Sequence, residues 1–236
     1  MKTILITGAG RRIGKELAIH FASRRYNVAL HYNSSEQNIK DIRACIESNF
    51  DVDVNTYQAN LLEYKNIDIM YDRIINDFGK IDILINNASV FEEVGFNETT
   101  IDNLNSNFGL HLYVPLLLSQ KFAEHSKKGV IINMIDAFIA SNSVHYFPYL
   151  LSKKSLADLT KMLAVEFQNN IRVNGICVGR AKLKNILPNK TNVKKDRKFL
   201  PLQDICSIAD MIIEQESLNG QLMYMDYGES LQYKNR

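Results

Sequence analysis

Tyr149 and Lys153 are the residues whose types and spacing most directly suggest chemistry. They stand four apart in Tyr149-Leu150-Leu151-Ser152-Lys153, so a helix through this stretch places them on one face. A neighbouring ammonium favours tyrosinate and is expected to lower the phenol pKa, which makes the phenol a usable acid near neutrality. The same spacing occurs in ordinary surface Tyr–Lys pairs, so the elements around the pair have to decide between the two.

A second cluster opens the chain. Thr7-Gly8-Ala9-Gly10-Arg11-Arg12-Ile13-Gly14 holds three of the eleven glycines. It follows an apolar run and precedes a helical pattern. A glycine turn in that context lets the backbone approach a pyrophosphate and aims the amides of a helix N-terminus at it; the alternative is a plain loop with a glycine helix cap. The end of the second strand bears on the cofactor. Leu30-His31-Tyr32-Asn33-Ser34-Ser35 has no acid before Glu36. An acid there would accept from a ribose 2′-hydroxyl and repel a 2′-phosphate, whereas Asn33, Ser34 and Ser35 can donate to one and Arg11 can add charge. NADPH is therefore expected over NADH. Ser34-Ser35 also suits a helix N-cap, and the two roles are compatible.

Short apolar runs must position these clusters. Ile4–Ile6, Val28–Leu30, Val52–Tyr57, Ile81–Ile85, Val130–Ile132, Ile171–Val178 and Gln221–Asp226 read as strands. Their continuous apolar character suits a parallel sheet buried on both faces. Helical spacing intervenes, as in Ile13, Leu17, Ala18 and Phe21, in Ile67, Met70, Tyr71, Ile74 and Phe78, and in Leu156, Leu159, Met162, Leu163 and Phe167. The β-α alternation predicts an α/β, Rossmann-like, doubly wound sheet with helices on both faces, in a single domain over residues 1–236.

Composition narrows the field. The 236 residues carry a formal net charge of +2, which gives no global reason to expect nucleic acid or an anionic membrane as partner. The charge is uneven. Residues 180–198 carry a net +7 and the rest of the chain −5, in a stretch with no clear period that reads as a long loop. Cys45, Cys177 and Cys206 are odd in number and show no metal-ligand spacing, so no metal is expected. The opening apolar run is too short for a signal peptide and no run of 18 apolar residues exists; a cytoplasmic protein is the expectation.

The spacing Gly8-x-Gly10-x-x-x-Gly14, together with Tyr149-x-x-x-Lys153, resembles the short-chain dehydrogenase/reductase superfamily. The resemblance runs from Thr3 to Gly228, and within it the pteridine reductase and dihydromonapterin (dihydrofolate) reductase branch is the most similar. Arg12 replaces a usual glycine, as in that branch, and Asp136 stands 13 residues before Tyr149 where most members have serine. Ser89-Val90-Phe91 is similar to the branch's Ser-x-Phe, whose ring lies against the pterin; Phe91 as a core residue is the alternative. Asn86-Asn87-Ala88 resembles the superfamily's Asn-Asn-Ala.

The resemblance implies a set of roles. Cofactor contacts fall on Gly8, Arg11, Arg12, Ile13, Gly14, Asn33, Ser34, Ser35, Asn60, Leu61, Asn87, Ala88, Tyr149 and Lys153. Substrate contacts fall on Arg12, Ser89, Phe91, Asp136 and Tyr149, with Asp136, Tyr149 and Lys153 catalytic. Tyr146 matches an aromatic that lines the site. His111 stands four residues before Pro115, where many members have asparagine and the dihydromonapterin reductases histidine; a satisfied core histidine is the alternative. Residues 180–203 fall where a substrate lid lies. A homo-oligomer, commonly a tetramer, is implied as well. The expected function is NADPH-dependent reduction of a dihydropterin. Two alternatives stay open: a carbonyl reductase acting on a 3-oxoacyl thioester, and a nucleotide-binding sensor without catalysis.

Overall fold

The computed structural model describes residues 1–168, 170–181 and 198–232. The chain alternates strand and helix from the start. β1 (Thr3–Ile6) leads to α1 (Arg12–Ser23), β2 (Asn27–Tyr32) to α2 (Glu36–Asn49), and β3 (Val54–Gln58) to α3 (Lys65–Phe78). After β4 (Ile83–Asn86), α4 (Ile101–Phe108) runs through a π-helical turn at Gly109–Tyr113 into α5 (Val114–His125). β5 (Gly129–Asp136) ends in a 3₁₀ turn, Ala137–Ala140, before the 20-residue α6 (Phe147–Glu166). β6 (Ile171–Val178), α7 (Leu202–Glu214), β7 (Leu222–Met225) and the short α8 (Glu229–Gln232) complete the described residues.

Among these residues the strands form one parallel sheet in the order β3-β2-β1-β4-β5-β6-β7. Strand side chains alternate between the faces. Ile4 and Ile6 of β1 pack with Leu17 and Phe21 of α1 and Ile212 of α7, while Leu5 between them packs with Ile74 of α3, Phe122 of α5 and Leu156 of α6. Both faces are thus covered, and this is why the strands read as unbroken apolar runs. The helical spacing at residues 156–163 falls in α6, but not all of its apolar residues are buried: Met162 is 69% exposed, Val165 77% and Leu151 42%. α6 carries apolar residues on every side, so its periodicity did not mark one buried face.

The chain order reverses between β1 and β4. This is the switch point at whose C-terminal edge open α/β sheets bind ligands. The glycine turn leaves β1 there, and Asn87-Ala88 leaves β4 beside it. Most of the expected lid, residues 182–197, lies outside the described residues. Its two ends are held together, since Leu200 N–H donates to the Arg180 carbonyl at 2.7 Å. No helix among the described residues is long and apolar enough to cross a membrane.

Candidate active site

The glycine turn is fixed from both sides. Gly8 has φ +66°, and a Cβ there would lie 2.9 Å from Ala88 Cα. A Cβ on Gly14 would collide with the Gly8 carbonyl and lie 2.7 Å from Asn87 Nδ2, and one on Gly10 would lie 2.7 Å from Ser35 Cβ. The cradle is therefore open only because these positions are glycine. Asn87 Nδ2 donates to the carbonyls of Thr7 (2.8 Å) and Gly8 (3.1 Å), and Thr7 Oγ1 accepts from the amides of Asn87 and Ala88. Thr7, which heads the glycine cluster but was given no role there, is thus the lock between β1 and β4. Its signal was faint: a hydroxyl at the first turn position after the strand.

α1 begins after this turn with Arg11 at its N-cap, no side-chain cap bond and no acid in the first turn. Its first amides are left for an anion, which fits a dinucleotide pyrophosphate. Arg12 takes φ 51°, a left-handed conformation that costs a non-glycine residue about 1 kcal/mol. Arg11, Arg12, Asn33 and Ser34 are exposed, Ser35 and Ile13 half-buried. The contact of Gly10 with Ser35 brings the β1 turn beside the β2 turn. Ser35 occupies the N-cap of α2 without a side-chain cap bond, so both hydroxyls of the pair are spared for other partners.

Asn60 and Leu61 follow β3. Asn60 Oδ1 accepts from Leu62 N at 3.2 Å and its amide donates to Glu63 at 3.2 Å, while Leu61 is buried. Asn33 and Asn60 line a cavity of about 310 Å³ with Gln58, Asn66 and Arg73. That cavity sits at the β3 edge, across the switch point from the residues below.

Asp136 ends β5, at the opposite side of the cleft. Its Oδ1 accepts from Phe138 N at 2.8 Å, capping the 3₁₀ turn, and its Oδ2 accepts from the Tyr149 hydroxyl at 2.8 Å. It is both a cap and a partner of the phenol. Lys153 is 4% exposed, its Nζ 2.8 Å from the Met134 carbonyl and 5.9 Å from the Tyr149 ring centre. The Tyr–Lys pair is therefore not a surface pair.

The electrostatics correct one expectation. Lys153 was expected to lower the Tyr149 pKa. Instead burial, and then the charge and hydrogen bond of Asp136, push it well above its ordinary value. Burial also raises the Asp136 carboxyl, against the Phe138 amide, the Tyr149 hydroxyl and Lys153. Burial lowers Lys153 to about 8, opposed by the Asp136 carboxylate. For Tyr149, burial sets the sign and the Asp136 carboxylate adds to it.

Aromatic residues wall the cleft. Phe91 is 56% exposed and so not a core residue. Its ring stacks on Tyr146 at 5.0 Å and meets Tyr149 edge-on at 4.8 Å. His111 lies buried in the π-helical turn behind them. Val90 N–H donates to its Nε2 at 3.2 Å, Ser89 Oγ lies 2.9 Å from the same nitrogen, and Ser152 Oγ lies 2.8 Å from Nδ1. An amide can only donate, so Nε2 is the acceptor and Nδ1 carries the proton. Burial, with the charge of Lys153, keeps the ring neutral by lowering its pKa well below the ordinary value. His111 thereby joins the Ser89–Phe91 loop to Ser152, whose hydroxyl donates to the Tyr149 carbonyl at 2.7 Å. Nothing in the sequence marked Ser152 for this.

A Tyr–Lys helix beside β5 and a glycine cradle at the switch point have the layout of a known family, and the model of short chain dehydrogenases matches residues 2–191. The chain belongs to the short-chain dehydrogenase family. It is an oxidoreductase by that membership. The sequence is 26% identical to pteridine reductase 1 of Leishmania tarentolae over 96% of each chain. It is 28% identical to the 3-oxoacyl-[acyl-carrier-protein] reductase FabG of Staphylococcus aureus, over 75% of this chain and 74% of that one. In structure it is similar to FolM alternative dihydrofolate reductase 1 from Brucella suis, solved in complex with NADP, with TM-score 0.88 and 28% identity over 98% of this chain and 95% of that one.

Proposed function

We propose that this short-chain oxidoreductase is an NADPH-dependent reductase of pterins that takes a dihydropterin to the tetrahydro form. The observation that carries the reading is the carboxyl of Asp136 bonded to the Tyr149 hydroxyl, where most of the superfamily has serine. A ketone reductase stabilises an alkoxide, and a buried carboxylate would repel it. Reduction of a ring C=N bond instead needs a proton delivered to nitrogen, and a carboxyl raised by burial is suited to hold one. The likeness to pteridine reductase 1 and to FolM alternative dihydrofolate reductase 1 supports the same reading.

Bound NADPH supplies the hydride. The glycine cradle, Arg12, Ile13, Asn87 and Ala88 receive its pyrophosphate and nicotinamide half; Arg11, Asn33, Ser34 and Ser35 receive the 2′-phosphate; Asn60 and Leu61 flank the adenine. Lys153 uses one donor on the Met134 carbonyl and has two left for ribose hydroxyls. Phe91 covers the flat face of the pterin, and Ser89 and Arg12 orient its edge. Tyr149 directs its proton at Asp136 while that carboxyl is ionised. Protonation of Asp136 reverses the bond, so that Asp136 donates to the phenol oxygen and the phenol proton is freed for the substrate nitrogen. Leu151, Met162 and Val165 on the outer side of α6 suit a homo-oligomer, a tetramer by family resemblance.

Oxidation of NADPH and NADH with dihydrobiopterin, dihydromonapterin and an acetoacetyl thioester, side by side, tests the reading. Turnover of a dihydropterin with NADPH is expected, lost in Tyr149→Phe with NADPH binding retained. Turnover of the thioester alone would replace the reading by carbonyl reduction, and nucleotide binding without any turnover by a sensor.

A further inference from the structure

His31 is 2% exposed in a strand that is otherwise apolar up to it, Val28-Ala29-Leu30. Its two ring nitrogens have different partners. Gly8 N–H donates to Nδ1 at 3.1 Å, which makes Nδ1 the acceptor and leaves the proton on Nε2. Nε2–H then donates to the Ala59 carbonyl at 3.0 Å, just before Asn60. Burial takes the imidazole pKa down to about 4, so this neutral tautomer is held throughout the physiological range. The main chain of the same residue adds a further hold, its carbonyl accepting from Ala9 N at 2.9 Å.

Gly8 is thereby gripped at both of its polar atoms by side chains: its amide by His31 and its carbonyl by Asn87, at 3.1 Å each. A residue at φ +66° pressed against Ala88 is the point of the turn with most conformational freedom to lose. A turn that is already ordered does not charge that loss against ligand binding. Replacing the apolar residue expected inside this strand by an imidazole has no packing advantage, since an unpaired buried ring nitrogen is costly. Both nitrogens face the loops that lead into the cofactor cleft.

We propose that His31 is a positioning residue for the dinucleotide: its imidazole pre-orders the glycine turn through the Gly8 amide and ties it to the loop after β3. The proposal rests on the dinucleotide reading above. Ordering one backbone residue corresponds to a ~5- to 30-fold change in affinity, and this sets the effect to look for.

Two substitutions separate the two ring bonds. His31→Asn places its amide oxygen near the position of Nδ1, keeps an acceptor for Gly8 and is too short for Ala59. His31→Gln reaches the Ala59 carbonyl and leaves the Gly8 amide without a partner. NADP⁺ titration by calorimetry and melting without nucleotide are measured on the full-length protein. The Asn variant is expected to bind within ~3-fold of wild type in spite of a lowered melting temperature. The Gln variant is expected to bind ~5- to 30-fold more weakly while melting at or above the Asn variant. Affinity that follows melting temperature across both variants, or that is unchanged in both, overturns the positioning role. Wild-type protein that binds neither NADP⁺ nor NAD⁺ would remove the dinucleotide reading itself, and the two failures are thus distinguishable.

Discussion

Replacing Asp136 by asparagine removes the charge and the exchangeable proton while keeping the shape and both hydrogen bonds. The amide oxygen still accepts from Phe138 N, and the amide nitrogen faces the Tyr149 oxygen, which turns from donor to acceptor; both bonds are 2.8 Å in the native site. What is lost is the group that stores the proton. General acid–base groups contribute about 10²- to 10⁴-fold, so kcat for a dihydropterin is expected to fall by that factor, a rise in barrier of about 2.7–5.4 kcal/mol. NADP⁺ affinity is expected to stay within about threefold. A kcat within threefold of wild type would refute Asp136 as proton holder.

The same variant makes a second, opposite prediction. Burial raises the Asp136 carboxyl in the folded state. A group with a raised folded pKa contributes stability that is complete below its unfolded pKa, about 3.9 for aspartate, and lost as pH rises through the folded one. At neutral pH the native carboxylate is therefore a deficit that asparagine does not carry. Asp136→Asn is expected to be more stable at pH 7 by roughly 0.5–2 kcal/mol, the range stabilising substitutions reach. For a chain of this size that is about 2–4 °C in melting temperature per kcal/mol. The gap should close as the pH falls toward about 4. A variant that melts below wild type at neutral pH, by an amount that does not change with pH, would refute the assigned direction of the shift.

Arg12→Gly relieves the left-handed strain but adds glycine's unfolded-chain entropy. The two differ by less than about 1 kcal/mol, so melting is expected to change little while the affinities for NADPH and NADH both drop about tenfold; calorimetric titration with both nucleotides checks this. Phe91→Ala removes a half-exposed ring whose aromatic contacts are worth roughly 0.5–1.5 kcal/mol. Steady-state kinetics should show the dihydropterin KM rising about two- to tenfold with kcat nearly unchanged.

The sheet was legible because it is parallel and buried on both faces: runs such as Ile171–Val178 have no other simple reading, and the observed β6 has the same bounds. The glycine turn and the Tyr149–Lys153 pair were legible because their spacing is fixed by backbone geometry. Depth was not. The direction of the Tyr149 shift follows first from burial and then from the adjacent Asp136, and a sequence states charge types without burial or distances. Helical periodicity at Met162 identified the helix but not its depth, since it marks a face only where the opposite face is polar. The roles of His31, Thr7 and Ser152 escaped because each lies within a quoted motif but serves another residue through contacts that spacing does not state. The π-helical turn at Gly109–Tyr113, which turns His111 onto Ser89 and Ser152, has no composition of its own to read.

Asp136 and Lys153 have to be considered as one unit. Lys153 is buried, its pKa has fallen to about 8, and the charge of Asp136 is what opposes the fall. Below that value it remains an ammonium with donors for a ribose; above it the site loses its cation. Asp136 therefore has two effects that a serine in its place would not combine. In the reaction proposed above it holds the proton destined for a substrate nitrogen, and its charge opposes the desolvation of the lysine. The cost falls on Tyr149, whose proton is bound more tightly by the same carboxylate. A tyrosine in that state is a poor proton donor while Asp136 is ionised and a free one once Asp136 is protonated. The acid in the site is consequently the pair, and its proton affinity is set by the carboxyl. An alkaline limb governed by tyrosinate formation is thus not expected; the limb should follow loss of the Lys153 proton near 8. It should move to lower pH in Asp136→Asn, where the larger of the two charges opposing the desolvation of the ammonium is gone and Cys177 alone remains.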